Sequence, residues 1–299
     1  MTNAFIDFLK EQDVEYQESF NMSKMSSIAI GGIARLAVMP NSEEKLIKTI
    51  DFIFDKSLPY TLVGRMTNIL PVDDVYNGVL ITTSNIRSYC VAENVCRAEC
   101  GVSFSKLLVE LAKLDFGGME ELFSIPGSVG GMVYGNAGAY GKSISDFIIS
   151  ARVYDVHQRN VYELRKADLD FKYRDSLLKK SGLVLLSANF LLEHKSCEDV
   201  TRRFSEIVDI RKRNQPYDSK SLGSIFKRKD GFPISKLIDT LGLKGTRIGG
   251  AVISEKHAGF IVNKGGATRS DVIDLIELIK TRLYVEYGII AEEEIQFMK

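Results

Sequence analysis

Leu46, Ile47, Ile50, Ile53 and Phe54 fall on one face of a 3.6-residue repeat, which predicts an amphipathic helix over about 43–56. The same spacing recurs in Phe5, Ile6, Phe8 and Leu9 (helix 3–16) and in Leu107, Leu108, Leu111 and Leu114 (helix 104–114). It recurs again in Val200, Phe204, Ile207 and Val208, with Arg211 on the same face (helix 197–213), and in Val272, Leu275, Ile276, Ile279 and Leu283 (helix 271–287). Asn41 with Glu44, Ser103 and Ser270 supply N-terminal caps, and Gly288 a C-terminal stop. Between these stretches the apolar residues cluster in shorter, strand-like runs: 60–63, 78–83, 95–101, 149–155 and 183–192. Residues 28–39 suggest a glycine-broken hairpin around Gly31-Gly32. Residues 289–297 suggest a closing strand that puts Glu292 and Glu294 on one face. The mixture of helices and strands predicts an α+β chain of about three lobes, 1–75, 76–196 and 197–299, with a break at Gln215-Pro216.

One stretch fits neither period. Six glycines lie between Gly127 and Gly141 in Ser-Ile-Pro-Gly-Ser-Val-Gly-Gly-Met-Val-Tyr-Gly-Asn-Ala-Gly-Ala-Tyr-Gly, residues 124–141. Each interior glycine costs a helix roughly 1 kcal/mol against alanine, so no stable helix is expected there. Such backbone either makes a tight turn or lets a phosphate-bearing cofactor approach closely. Neither a G-x-G-x-x-G opening a helix nor a G-x-x-x-x-G-K-[ST] is present, so dinucleotide-fold and P-loop readings lack their signatures.

Bulk properties narrow the class. A chain of 299 residues, 45% hydrophobic and 26% charged, has material for a substantial core. Zero formal net charge argues against a nucleic-acid surface. The short basic runs Arg211-Lys212-Arg213 and Lys227-Arg228-Lys229 suit a phosphate-bearing small ligand or a solvated face. No apolar run is long enough to insert in a membrane, and Asp7, Glu11, Asp13 and Glu15 make residues 1–16 unlike a signal peptide. A cytoplasmic protein is expected. Cys90, Cys96, Cys100 and Cys197 form no C-x-x-C, and His157, His194 and His257 have no metal-ligand spacing, so reduced thiols and no metal site are expected.

Taken in order, seven blocks resemble one family. They are Ile30-Gly31-Gly32, residues 124–141, Tyr173-Arg174-Asp175-Ser176 (Y-R-x-S), Gly223-Ser224-Ile225-Phe226-Lys227 (G-S-x-F-K), residues 241–245, residues 257–263, and Glu292-Glu293-Glu294-Ile295 (against E-P-E-V). The chain resembles, over nearly its full length, UDP-N-acetylenolpyruvoylglucosamine reductase (UDP-N-acetylmuramate dehydrogenase), in its shorter, type II-like form. The resemblance implies an FAD-binding fold of the vanillyl-alcohol-oxidase (PCMH) type with a C-terminal α+β substrate domain. It implies non-covalent FAD, NADPH as co-substrate, small-molecule partners and a monomer. The reaction implied is reduction of UDP-N-acetylglucosamine enolpyruvate to UDP-N-acetylmuramate in peptidoglycan precursor synthesis, with hydride from the flavin N5 and a proton from a serine.

Carried over residue by residue, the resemblance makes Ser224 the proton donor and Arg174 the group that binds the substrate carboxylate and stabilises the charge that builds beside it. Glu294 faces the same carboxylate as a protonated or proton-sharing group. Gly64, Thr67 and Asn68, then Pro126, Gly127, Ser128, Val129, Gly130 and Gly131, then Asn136, Ala137 and Gly138 are the expected cofactor-binding positions. Tyr173 is the expected pocket wall, Arg213 and Lys227 candidates for the UDP phosphates, and His257 a structural residue. One departure stands out. The family's G-x-G-[ST]-N-L-L loop is here Gly64-Arg65-Met66-Thr67-Asn68-Ile69-Leu70, so Met66 replaces a glycine expected to need positive φ or close approach. Two alternatives stay open from the residues: a flavin oxidase of the same fold acting on another sugar, and a non-catalytic FAD- or nucleotide-sugar-binding regulator.

Overall fold

The computed structural model describes residues 3–298. The chain divides into two compact units, one made of Met1–Glu18, Leu36–Arg65 and Asn77–Val208, the other of Ser19–Arg35, Met66–Tyr76 and Asp209–Lys299. Each has its own apolar core.

Two sheets lie mainly in the first unit. One has the spatial order Glu15–Asn21, Ile33–Met39, Tyr76–Thr82, Tyr60–Val63. Its last two strands are parallel, with Tyr60 opposite Val79 and Val63 opposite Thr82. Helices α1 (Asn3–Glu11) and α2 (Glu43–Asp55) contribute Phe5, Leu9, Leu46, Ile50 and Ile53 to the core. Parallel neighbours need a crossover, and here it runs from Val63 to Tyr76. The other sheet is antiparallel in the order Asn160–Arg165, Ile148–Asp155, Leu183–Leu191, Val95–Glu99, Tyr89–Ala92. Its central strand, Leu183–Leu191, is buried nearly end to end, which explains its unbroken aliphatic run. Helices α3 (Phe104–Ala112), α4 (Val129–Tyr134) and α5 (Cys197–Asn214) are the remaining α-helices of this part of the chain, beside two short two-stranded sheets. Burial pushes the thiols of Cys96 and Cys100 up to about 12, so both are inert hydrophobes in this core.

The second unit packs α6 (Ile234–Thr240) and α7 (Arg269–Tyr287) with an antiparallel sheet in the order Ser221–Ser224, Phe260–Asn263, Ala251–Ile253, Arg247–Ile248. The α7 stripe read from the sequence, Val272, Leu275, Ile276, Ile279 and Leu283, is buried in full. Gly288 ends α7 in the left-handed conformation at φ 65°.

Several boundaries differ from the sequence reading. The first helix stops at Glu11, where Asp13 takes φ 49°, and residues 15–21 become an edge strand. Only Ile33–Met39 of the expected hairpin is a strand. Ala29 and Gly31 have positive φ, and a Cβ on Gly32 would sit 2.2 Å from the Asp73 carbonyl, so residues 28–32 form a close-packed turn instead. Helix caps shift by a residue or two. Ser42 rather than Asn41 caps α2, and Thr268 rather than Ser270 caps α7, in a reciprocal box with Asp271. Ser103 sits at the N-cap of α3 without a side-chain cap bond. The tail is no strand over 289–297. Only Gln296–Phe297 and an isolated bridge between Phe226 and Glu293 pair, so strand alternation does not order Glu292 and Glu294. The glycine-dense stretch does contain a helix, α4. Ser128 caps it, and Val129, Met132 and Val133 bury one stripe, which offsets the propensity cost.

Candidate active site

In the first unit the glycine-rich segment, the loop start at Gly64 and the Y-R-x-S turn are each fixed by identifiable contacts. Ser128, 1% exposed, caps α4 by accepting from the Gly131 N–H. The N–H groups of Val129 and Gly130 donate to the Val102 and Cys100 carbonyls, at 2.9 and 2.7 Å. These amides are therefore spent on the fold. A Cβ on Gly130 would lie 3.0 Å from the Cys100 carbonyl, and one on Gly64 would lie 2.3 Å from Ser128 Oγ. Gly64 thus lies directly against the cap of α4, with its carbonyl accepting from the hydroxyls of Thr82 and Ser84.

Asn136, at φ 41° and buried, donates to the Lys172 carbonyl at 2.9 Å and accepts from the Ser145 N–H at 3.0 Å. It ties Asn136-Ala137-Gly138 to the turn that carries Tyr173 and Arg174. That turn is closed by reciprocal backbone bonds between Lys172 and Asp175, each 3.1 Å. Arg174 stands in the left-handed region at φ 56°, a conformation that costs a non-glycine residue about 1 kcal/mol. Its Nη2 donates to the Gly138 carbonyl at 2.8 Å, and its guanidinium carbon is 5.1 Å from the exposed Tyr173 ring. Asp175 pairs with Lys180, whose hydrogen bond holds the carboxyl below its ordinary range. Ser176, 1% exposed, donates to the Tyr134 carbonyl and roots the turn on α4.

The second unit gathers a different set. Ser224 follows Gly223 (φ 82°), lies at an irregular end of its strand pairing, and donates from Oγ to the Phe226 carbonyl at 3.3 Å. Glu294 donates its N–H to the Ile225 carbonyl at 2.7 Å, and Lys227 donates its N–H to the Glu292 carbonyl at 2.9 Å. The tail thus runs antiparallel beside the G-S-x-F-K segment. Asn68 Nδ2 donates to the Glu294 carbonyl at 3.1 Å, and the Asn68 carbonyl accepts from Gln296. Thr67 accepts at its carbonyl from Ser27 Oγ. Met66 takes φ 48°, the positive φ expected for this loop position, and is 1% exposed. Lys227 Nζ pairs with Glu292, whereas Arg213 is exposed near the end of α5. Nδ1 of His257 accepts from the Gly259 N–H, and burial lowers the histidine's pKa, as suits a structural residue.

Two anchoring residues were assigned no role from the sequence, although Asn263 closes the block of residues 257–263. Asn263 donates to the Ile28 and Ala29 carbonyls and accepts from Gly265 and Ala267, holding the I-A-I-G-G turn. Arg269 donates to the Leu70 carbonyl at 2.9 Å, and its ring partner is Phe297. Both act between segments far apart in the chain, which no local pattern reveals.

Gly131 tests whether the glycine-rich segment fits a flavin. It is exposed, its φ is ordinary, and a Cβ built on it would meet only Ser128 Oγ at 3.8 Å. The fold itself does not require glycine there, although glycine weakens the helix. The missing Cβ leaves the exposed face of α4 open for a guest to approach, so the residues fit FAD.

The comparisons agree. Residues 34–159 match the model of an FAD binding domain, and residues 215–298 match the C-terminal domain of UDP-N-acetylenolpyruvoylglucosamine reductase. The reductase of Caldicellulosiruptor bescii is 41% identical over 97% of this chain and 93% of its own. That of Clostridioides difficile is 35% identical over 98% and 96%. The crystal structure of the Thermus caldophilus reductase superposes with a TM-score of 0.81 at 28% identity, covering 96% of this chain and 99% of that one. Berberine bridge enzyme, at 15% identity, TM-score 0.51 and 64% of this chain against 43% of its own, shares the fold alone.

The fold is thus the PCMH-type FAD-binding fold, and the protein is an FAD-dependent oxidoreductase. The chain belongs to the UDP-N-acetylenolpyruvoylglucosamine reductase family of peptidoglycan precursor synthesis. Among the described residues no helix is long and apolar enough to cross a membrane.

Proposed function

We propose that this chain reduces UDP-N-acetylglucosamine enolpyruvate to UDP-N-acetylmuramate with NADPH as the reductant and Ser224, Arg174 and Glu294 as its catalytic residues. FAD, when bound, carries the two electrons from the nicotinamide to the enolpyruvyl group. The protein must then neutralise charge that builds on the carbon beside the substrate carboxylate and deliver a proton to it. Ser224 delivers that proton. A serine hydroxyl is a weak acid, so it serves only a strongly basic carbon, which this reaction generates. Arg174 takes the carboxylate in a forked pair and stabilises the developing charge. Glu294 faces the same carboxylate and shares the proton.

The observation that carries this reading is the bond between the Glu294 N–H and the Ile225 carbonyl, which sets the glutamate beside the segment that bears Ser224. Gly64, Thr67, Asn68, residues 126–131 and Asn136-Ala137-Gly138 line the cofactor. At Val129 and Gly130 they act by shape, since their amides are already used. Tyr173, Lys227 and Arg213 serve the nucleotide sugar, with Lys227 exchanging Glu292 for a phosphate. The division into lobes 1–75, 76–196 and 197–299 is kept as part of this proposal; two separate sheets support two lobes before residue 197, although strand Tyr76–Thr82 joins the first sheet and carries that lobe past residue 75. We place the enzyme in the cytoplasm as a monomer, with small molecules as its partners. Light scattering tests the monomer.

The deciding experiment is an anaerobic visible spectrum. Flavin bands that bleach with NADPH and return with the enolpyruvyl substrate support the reductase. Recolouring by oxygen but not by that substrate favours the oxidase. Binding of FAD with no recolouring favours the regulator.

A further inference from the structure

We infer that Lys280 is a positioning residue for Glu294: by holding Glu293 it fixes the tail segment from which the Glu294 carboxyl projects. The inference rests on the reading of Glu294 as an active-site group. The tail at Glu292-Glu293-Glu294 lies outside any regular strand: the bridge between Glu293 and Phe226 ties it to the G-S-x-F-K segment, and the two-residue strand Gln296–Phe297 follows it. The two backbone bonds that flank the bridge align the segment with residues 225–227 but leave the direction of each side chain to its own partners. Side chains add to these backbone restraints, and each glutamate is held differently. Glu292 pairs with Lys227, but its side chain is 72% exposed, so solvent competes for it. Glu294 is held through its carbonyl by Asn68. Glu293 pairs with Lys280 at 3.0 Å, with side-chain exposures of 23% and 31%, which makes it the more shielded pair. Lys280 rises from α7, whose neighbouring residues Ile276, Ile279 and Leu283 are core, so its base is rigid. Glu277, one turn back, holds the same ammonium at 3.1 Å and stops it from swinging away. Small displacements of a catalytic group carry large rate penalties, so a pair remote from substrate controls rate through geometry.

The test uses the holoenzyme and resolves two half-reactions by stopped flow: flavin bleaching by NADPH, and anaerobic recolouring by the enolpyruvyl substrate. Lys280→Met should slow recolouring about fivefold and leave bleaching and melting temperature unchanged. Lys280→Arg should stay within about twofold of the parent, and the charge swap Lys280→Glu with Glu293→Lys should recover most of the rate. The double variant Lys280→Met with Glu294→Gln should be no slower than Glu294→Gln alone, because Lys280 acts through Glu294. Recolouring at the parent rate in Lys280→Met, or multiplicative slowing in the double variant, overturns the inference while leaving Glu294 in place. Parent-rate recolouring in Glu294→Gln overturns the reading of Glu294, and the role of Lys280 with it. A lowered melting temperature with both half-reactions slowed alike makes Lys280 purely structural and also overturns it.

Discussion

Glu294 gives its backbone N–H to the carbonyl of Ile225 at 2.7 Å, and Ile225 directly follows Ser224. About seventy residues of chain separate the two partners. The bond therefore makes the acidic tail and the G-S-x-F-K turn one structural feature.

Removing the hydroxyl from that feature separates proton delivery from electron delivery. Ser224→Ala should slow recolouring by the enolpyruvyl substrate on the order of 10²–10⁴-fold, the usual contribution of a positioned acid. Bleaching by NADPH should stay at the parent rate. Equal slowing of both half-reactions would remove Ser224 from its role.

Gly131→Ala should push stability and cofactor binding in opposite directions. The helix position gains up to about 1 kcal/mol from alanine, and the added methyl meets only Ser128 Oγ at 3.8 Å. The flavin-free protein should melt slightly higher, whereas a fluorescence titration should show weaker FAD. Unchanged FAD affinity would mean that nothing presses against α4 here.

Met66 combines backbone strain with deep burial, at φ 48° and 1% exposure. Glycine relieves the first and forfeits the second. Met66→Gly and Met66→Ala should both fall about 2–4 kcal/mol below the parent in denaturant unfolding. The glycine variant should be the more stable of the two by roughly 1 kcal/mol, because alanine keeps the left-handed strain. The reverse order would show that the strain is negligible.

The Arg174 turn gives a pH signature. Asp175 is held below its ordinary value of 3.8, chiefly by its hydrogen bond to Lys180. A depressed carboxylate pKa contributes stability above the unfolded value, and this is lost as pH falls through the folded one. Asp175→Asn should therefore cost up to about 1 kcal/mol at neutral pH, small because Lys180 is largely exposed. The difference from the parent should vanish once pH drops well below 3.8. A difference that persists in acid would assign the effect to packing.

The local code of the chain determined a good deal. The 3.6-residue stripes of α2, α3, α5 and α7 appear in the fold because an amphipathic face has one stable place to go, except that Phe54 of α2 is exposed and Leu114 lies exposed beyond the end of α3. Gly288 stops α7, and the block of residues 124–141 with its companions identified the family, because motif order is a property of sequence. The Met66 departure marked a position that does take positive φ. Tertiary structure decided the rest, always through partners distant in the chain. Propensity argued against α4, yet Val129, Met132 and Val133 found a core to enter. Which glycines the fold itself needs, Gly130 and Gly64 but not Gly131, depends on whether Cys100 or Ser128 stands within reach of a Cβ. The three adjacent glutamates are indistinguishable as a string of letters. They differ only because Lys227, Lys280 and Asn68 come from three separate segments to meet them.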